Sequence, residues 1–466
     1  MNYSDLCLIS EIDHDTIHKY IGLTRFAVEI KNTQIFQRLT SLKQLGPCRY
    51  IYPNAVHTRY EHSIGTYYLA GELLMTISGL ENQDEIDNYL KKIPELKTYY
   101  EKESIESNLL TPYVRELVKI AGLCHDIGHG PFSHLFDDMF LNYTNQAENI
   151  NRSHEVRSNL LIEMVIKQNP VLSIVSNDEI EFIKSLVNPP PDRNGFIYQI
   201  VSNNFNGLDV DKFDYLQRDI KMVDFQANID VSRLIKYIKI INDNIIYPID
   251  SADDIENLFR TRYRLYKNVY NNPDVTVVES IIIQIMMEID KIINLSGSIN
   301  DMDKFITLND NTVLECVNII NKLHLELTTE QKQVIHNVNL LFDKLFKNKF
   351  QKIIHTTISN EKLNMQEIIK ELISKSNLDK NIIKNITFSQ HKIGFLSGKK
   401  SNPFDTIYFY DYSNPKLIIG NIESLSKSIP VLSSTHTHQE FVGTFFYSGE
   451  DQQTYIELKK LFENFT

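Results

Sequence analysis

Ile120-Ala-Gly-Leu-Cys-His125-Asp126-Ile-Gly-His129-Gly-Pro-Phe-Ser-His134-Leu-Phe-Asp137-Asp138 decides how this chain is read. Ahead of it Val114, Leu117, Val118, Ala121 and Leu123 repeat at helical spacing, which predicts a helix over 111–124. The helix runs into a turn broken by Gly128 and Gly130-Pro131, so imidazoles and carboxylates gather at its end. Ionisable groups at the end of an apolar helix are costly unless they are used, so the stretch reads as a site.

Working outward, His57-Thr-Arg59-Tyr-Glu-His62-Ser opens a long amphipathic helix reaching about Ile77, with Arg59, His62 and Thr66 on one face. Downstream, Ser153-His154-Glu155 starts a further helix, and another covers 177–187 before the Pro189-Pro-Pro break. In Gly207-Leu-Asp209-Val-Asp211-Lys212-Phe-Asp214-Tyr215-Leu-Gln-Arg218-Asp219, a helix puts Asp211, Tyr215 and Asp219 on one stripe, with Lys212 one position round. Arg262, Tyr266 and Tyr270 form a similar stripe.

Histidine nitrogens and carboxylate oxygens are ligands for divalent Zn, Mn, Fe or Mg. Adjacent His125 and Asp126 diverge by about 100° on a helix, so both reach one ion only beyond the helix end. His62 and Asp211 are the best-placed partners to complete the shell. His129, His134, Asp137 and His154 remain uncoordinated in the same pocket, and an imidazole oriented by a carboxylate is the usual acid or base near neutral pH. Arg59, Lys212 and Arg262 are the matching phosphate clamps. Together these residues describe phosphate-ester hydrolysis.

Composition narrows the partners. The chain has 466 residues with 42% hydrophobic content, enough for a large core and two or three domains. A net charge of −12 with no dominant basic stretch argues against duplex nucleic acid and for small anionic ligands. Cys7, Cys48, Cys124 and Cys316 show no paired spacing, which excludes a thiolate zinc site and a disulfide framework. No apolar run reaches the roughly 18 residues of a membrane helix, so a cytoplasmic or nuclear setting without membrane contact is expected.

Elsewhere, Thr16 to Ile30 carries a helical pattern, and Asn32 or Thr33 caps the next helix through Phe36, Leu39 and Leu42. Residues 81–108 read as a charged surface excursion and 138–152 as a loop. Helices are predicted at about 251–271, 275–294, 309–325 and 329–348, the last ending in Lys344, Lys347, Lys349 and Lys352, a solvated face. Strand-like alternation appears at 406–411, 416–419 and 442–447. The fold class is therefore mainly α, a helical bundle with a small mixed α/β C-terminal lobe. The divisions are an N-terminal segment 1–30, a catalytic domain 31–300, a helical extension 301–385 and the lobe 386–466. His14, His57, His391 and the His436/His438 pair read as structural or solvent-facing.

His62, His125-Asp126 and Asp211, in the order H…HD…D, resemble the HD-domain metallohydrolase signature. Longer strings resemble the deoxynucleoside-triphosphate triphosphohydrolases of the sterile-alpha-motif-and-HD-domain type. These are Phe36-Gln-Arg-Leu, Lys43-Gln-Leu-Gly, His57-Thr-Arg-Tyr-Glu-His-Ser-Ile-Gly, Ala121 to Asp137, and Asn206-Gly-Leu-Asp-Val-Asp-Lys-Phe-Asp-Tyr. Phe259-Arg-Thr-Arg and Asn402-Pro-Phe-Asp match more weakly, and the resemblance spans about residues 30 to 450.

The resemblance implies attack of water on the α-phosphate with release of intact triphosphate. It implies metal ligands His62, His125, Asp126 and Asp211, and a relay of His129, Asp137 and His154. It puts Arg59, His134, Lys212 and Arg262 on the triphosphate. Gln44, Leu45 and Tyr270 would crowd the sugar 2′ position, with Tyr215 and Asp219 near the 3′ hydroxyl. The cofactors implied are Zn, Mn or Fe in the HD site, with Mg on the nucleotide. A homo-oligomer, dimer or higher, is expected, and single-stranded nucleic acid is a minor candidate partner.

The sequence departs from the family at the guanine-nucleotide activator site, where an acid and an arginine become Asn32 and Thr40. A basic pair becomes Asn272-Pro273, and a basic cluster becomes Pro248 and Asp250. Losing this charge weakens triphosphate binding, so activation by guanine nucleotide is not expected. No segment ahead of residue 30 reads as an extra helical domain. The rival readings are an HD-type phosphodiesterase or nucleotidase on another phosphoester, and a non-enzymatic scaffold binding nucleotide or single strands. The bland alternatives pair Arg59 with Glu61 or Glu72, and Arg262 with Asp253 or Glu256.

Overall fold

A computed structural model describes residues 2–322, 326–347, 351–376, 378–394, 402–413, 418–419 and 439–463. His436, His438 and Lys349 fall outside them. The chain is mainly α, as the periodicity predicts.

At its centre, the Arg59–Ser78 helix packs against Pro112–Cys124 on one side and Val210–Met222 on the other. Each of these helices starts where its sequence says it can. Thr58 and Glu61 form a capping box, Thr111 caps Val114 with Pro112 in the first turn, and Asp209 accepts from the Lys212 amide. Leu73, Leu74, Ile77, Val114, Leu117, Val118, Phe213 and Leu216 are all buried in the core they share. Each such side chain contributes about 1.5–3 kcal/mol by leaving water. Asn177–Val187 covers the Pro112–Cys124 helix from outside, and His154–Gln168 packs on Asn177–Val187. Further along the chain, Pro273–Ile293 packs on Thr329–Phe346.

Three stretches differ from the sequence reading. Residues 16–24 belong to an antiparallel hairpin, Ile9–Asp15 with Lys19–Thr24, and helix begins only at Arg25. The reason is a period of two that competes with the helical pattern: Ile21 and Leu23 are buried while Tyr20 is exposed. Lys19, at φ 71, turns the chain, and Asp15 accepts from the amides of Ile17 and His18.

Residues 81–108 are not a simple excursion, for they form helices Gln83–Leu90 and Pro94–Lys102 that bury Ile86, Leu90, Leu96 and Tyr99. Most of their charges face water and hide the apolar repeat, while Asp87 is buried on the amides of Asn108 and Leu109. Finally, the C-terminal sheet centres on Gln439–Tyr447 and pairs it antiparallel with Ile386–Gly394 and with Lys352–Ser359. The lobe therefore takes one strand from residues read as helical extension. That strand's partner lies far along the chain, so local pattern could not reveal it. A second small sheet joins the hairpin Lys239–Ile241/Asn244–Pro248 to Phe409–Tyr410 and Ile418–Ile419. Among the described residues no helix is long and apolar enough to cross a membrane.

Candidate active site

Three helices meet where their polar ends converge. His62 sits one turn into Arg59–Ser78, His125 and Asp126 follow the end of Pro112–Cys124, and Asp211 lies in the first turn of Val210–Met222. His62 Nε2 stands 3.2 Å from His125 Nε2 and 3.1 Å from Asp211 Oδ1. His125 Nε2 lies 3.4 Å from Asp126 Oδ1 and 3.5 Å from Asp211 Oδ1, and Asp126 Oδ2 lies 3.5 Å from His62 Nε2.

The separations among His62, His125 and Asp211 fit a common ion, and Asp126 lies beside both histidines. Donors about 2.1 Å from one metal lie roughly 3.0–3.4 Å apart in octahedral or tetrahedral geometry. The tautomers agree, because His62 Nδ1 donates to Asp214 Oδ2 at 2.8 Å and His125 Nδ1 to the Gly122 carbonyl at 2.8 Å. Both Nε2 atoms then point toward each other and toward two carboxylates, a donor set that suits a divalent ion. Burial alone would lower His62, yet the carboxylates of Asp211 and Asp214 push it up to about 10. The donor set of two imidazoles and two carboxylates is one that Zn, Mn or Fe accepts.

Beside this cluster lies a second one. His129 Nδ1 donates to Asp137 Oδ2 at 2.7 Å, and the His129 and His154 rings stack 3.8 Å apart. The His129 Nε2 faces the ligand cluster, 3.4 Å from Asp126 Oδ1. His154 Nδ1 is 3.7 Å from the same Asp137 oxygen. Burial and the neighbouring His129 hold His154 well below the ordinary histidine range, so it is neutral at pH 7. Burial would raise Asp137, but the Arg157 guanidinium keeps it below the usual carboxylate range. His134, by contrast, is exposed, held to Asp138 at 3.1 Å, with its edge toward His129 and His154.

The basic residues are held rather than free. Arg59 pairs with Asp126 and donates from Nε to Ser133 Oγ at 2.7 Å, so neither Glu61 nor Glu72 is its partner. Lys212 Nζ sits 2.9 Å from Asp209. Arg262 donates to the Gly394 carbonyl at 3.0 Å and stacks over Tyr266, instead of pairing with Asp253 or Glu256. Tyr215 lies with its ring 6.4 Å from His62. Asp219 is buried between His57 Nε2 at 2.7 Å and the Tyr270 hydroxyl at 2.5 Å. His57 is thus a buried partner of Asp219. The Gln44 amide donates to the His57 carbonyl at 3.0 Å, and buried Gln44 Oε1 and His57 Nδ1 have no protein partner. Leu45, beside Gln44, packs with Cys48 and Val275.

Several residues of the site escaped the sequence reading. Asp214 binds His62, His18 and Arg218 at once, and Arg218 is held in turn by Asp15. Gly65 leaves room for it, since a Cβ there would lie 1.9 Å from Asp214 Oδ1. Its spacing, three residues after Asp211 and four before Arg218, was a usable signal. Arg157, fully buried, donates to Asp137 and to the carbonyls of Gly128, Asn151 and Arg152. It sits one turn after His154. Arg38 donates to the carbonyls of Ile127, His129 and Leu308. Phe132 and Ser133 both have φ 60, a strain of about 1–3 kcal/mol each that the surroundings must hold.

An HD domain matches residues 59–219. The chain is 38% identical over 402 residues to an HD domain-containing protein, L394, of Acanthamoeba polyphaga mimivirus, covering 85% of this chain and 84% of that one. It is 33% identical over 333 residues to the deoxynucleoside triphosphate triphosphohydrolase SAMHD1 homolog of Dictyostelium discoideum, covering 71% of this chain and 59% of that one. With deoxynucleoside triphosphate triphosphohydrolase SAMHD1 of Homo sapiens, identity is 33% over 340 residues, 66% of this chain and 50% of the relative. The matched stretch thus spans 59% and 50% of these two triphosphohydrolases.

Proposed function

The chain belongs to the HD-domain protein family, and on that footing we propose that it hydrolyses deoxynucleoside triphosphates to deoxynucleoside and inorganic triphosphate. The observation that carries this is the pairing of the His62/His125/Asp126/Asp211 cluster with the His129–Asp137–His154 group 3.4 Å away, in a chain similar to SAMHD1 relatives.

Water attacks the α-phosphorus, the bond from phosphorus to the sugar 5′ oxygen breaks, and triphosphate leaves whole. When bound, a divalent ion at the four ligands supplies Lewis acidity to the phosphoryl group and the attacking water. His62, His125, Asp126 and Asp211 hold it, and Zn, Mn or Fe suits them, with Mg travelling on the nucleotide. Asp137 keeps the Nδ1 proton on His129, so proton exchange with the reacting groups occurs at Nε2. The attacking water passes a proton to His129 Nε2, the departing 5′ oxygen takes one from this histidine group, and neutral His154 stacks behind it.

Arg59, Lys212, Arg262 and exposed His134 bind the triphosphate. Triphosphate oxygens compete with Asp126 and Asp209 for the first two, which therefore release one partner for another without being desolvated afresh. Gln44, Leu45 and Tyr270 exclude a 2′ hydroxyl, while Tyr215 and Asp219 receive the 3′ hydroxyl. The unpartnered Gln44 Oε1 and His57 Nδ1 support a polar ligand at this end.

Guanine-nucleotide activation is absent in this reading. Asn32 merely ends a helix, and the Thr40 hydroxyl is spent on the Gln37 carbonyl. The protein works as a homo-oligomer, of a dimer or more. Incubating each dNTP singly with Mn²⁺ or Mg²⁺ and separating the products tests the reading: deoxynucleoside and triphosphate from one dNTP alone support it. Turnover only when GTP is added overturns the regulatory part, and no triphosphate with any metal overturns the activity.

A further inference from the structure

Asp310 lies outside the HD-domain match, at the start of the Asp310–Lys322 helix, and is 4% exposed. Its carboxylate reaches back across the chain to two loops of the site. Oδ1 accepts from the Phe132 amide at 2.7 Å and Oδ2 from the Lys43 amide at 3.0 Å, across 178 and 267 residues of sequence. Burial pushes its carboxyl up to about 6, still below neutral pH, so both oxygens act as acceptors.

Each contact fixes a segment that the reaction uses. Lys43 leads directly into Gln44 and Leu45. Phe132 leads into Ser133, whose hydroxyl donates to the Lys43 carbonyl at 2.9 Å and accepts from Arg59 Nε at 2.7 Å. Lys43 is therefore gripped on both sides, its amide by Asp310 and its carbonyl by Ser133. Phe132 and Ser133 hold the left-handed backbone only because such contacts over-determine it. Gly46, at φ 49, closes the same seam, since a Cβ there would come 2.9 Å from the Phe132 carbonyl oxygen. Arg38 ties the other end, bridging the carbonyls of His129 and Leu308.

We propose that Asp310 is a positioning residue that locks the Gln44–Leu45 loop against the Phe132–Ser133 turn and thereby sets discrimination between deoxyribose and ribose triphosphates. The sugar preference rests on the proposed dNTP activity, whereas the clamp itself does not.

The test compares the full chain with Asp310→Asn and Ser133→Ala, measuring kcat/KM for dATP and ATP, bound metal, and amide hydrogen exchange. Asp310→Asn retains its metal, loses about tenfold in kcat/KM for dATP, and loses a further factor of roughly ten in the dATP to ATP ratio. Exchange quickens in segments 40–46 and 130–134 and is unchanged in the Arg59–Ser78 helix, and Ser133→Ala shifts the ratio the same way. An equal loss for dATP and ATP, or unchanged exchange in both segments, overturns the proposal. If the unaltered chain turns over no dNTP, the activity reading fails and exchange alone decides the clamp. If Asp310→Asn does not fold, exchange in the unaltered chain decides: protected Lys43 and Phe132 amides support the clamp, and fast ones overturn it.

Discussion

His62 donates its Nδ1 proton to the buried Asp214 carboxylate at 2.8 Å, which turns its Nε2 toward His125 Nε2 at 3.2 Å. With Asp126 and Asp211 beside them, the two Nε2 atoms make a donor set that suits a divalent cation. Asp214 thus orients His62, a candidate metal ligand that it adjoins in space but not in sequence.

Replacing Asp214 by Asn keeps the shape but allows the wrong tautomer at His62. Metal affinity falls by about 10–100-fold, read by chelator competition with Mn²⁺ or Zn²⁺. His18→Gln removes the second ring on the same carboxylate and weakens the metal less. Unchanged metal affinity in Asp214→Asn would show that His62 is oriented by something else.

Two glycines on one helix give opposite outcomes. A Cβ at Gly65 meets Asp214 Oδ1 at 1.9 Å and Arg218 Nη2 at 2.6 Å, so Gly65→Ala displaces the carboxylate and loses metal. A Cβ at Gly71 meets only the flexible Lys119 stem, 3.4 Å away. Gly71→Ala therefore stabilises the helix by about 0.5–1 kcal/mol. Thermal unfolding and metal content of both variants check this.

Arg157 satisfies Asp137 and three carbonyls from a fully buried position. Arg157→Ala leaves a buried carboxylate uncompensated and costs about 3–5 kcal/mol. Arg157→Lys recovers little, because an ammonium lacks the fork that reaches all four partners. Urea midpoints measure both, and a loss below about 1 kcal/mol for the alanine variant would contradict the burial of this charge.

His154 is held neutral by burial and by His129, well below its unfolded value. At high pH both states leave it neutral, so it costs nothing. As pH falls below about 6.5 the unfolded chain gains a proton that the folded chain refuses, and stability declines. The fall in urea midpoint from pH 7.5 to pH 5.5 is expected to be smaller in His154→Asn. An identical fall would assign the acid sensitivity to other groups.

Much of this was legible because the chemistry sits on regular helices. Periodicity placed His62, Asp211 and the end of the Pro112–Cys124 helix, and three helix ends converging on one point bring the four candidate ligands together. What was hidden depends on contacts between distant segments. His18 reaches Asp214 across 196 residues from a hairpin whose alternation was masked by a helical pattern. Asp310 shows no local signal at all. The same holds for the strand at Lys352–Ser359, defined by its pairing with Gln439–Tyr447. The partner of Arg59 was not legible either, since Asp126 lies 67 residues on.

The most direct measurement follows oxygen. Hydrolysing dATP in ¹⁸O-labelled water with Mn²⁺ and weighing the products shows which bond breaks. We expect unlabelled deoxyadenosine and triphosphate carrying one ¹⁸O, as attack at the α-phosphorus requires. Labelled phosphate or pyrophosphate with a shortened nucleotide, or ¹⁸O in the deoxyadenosine 5′ hydroxyl, would contradict the proposed reaction.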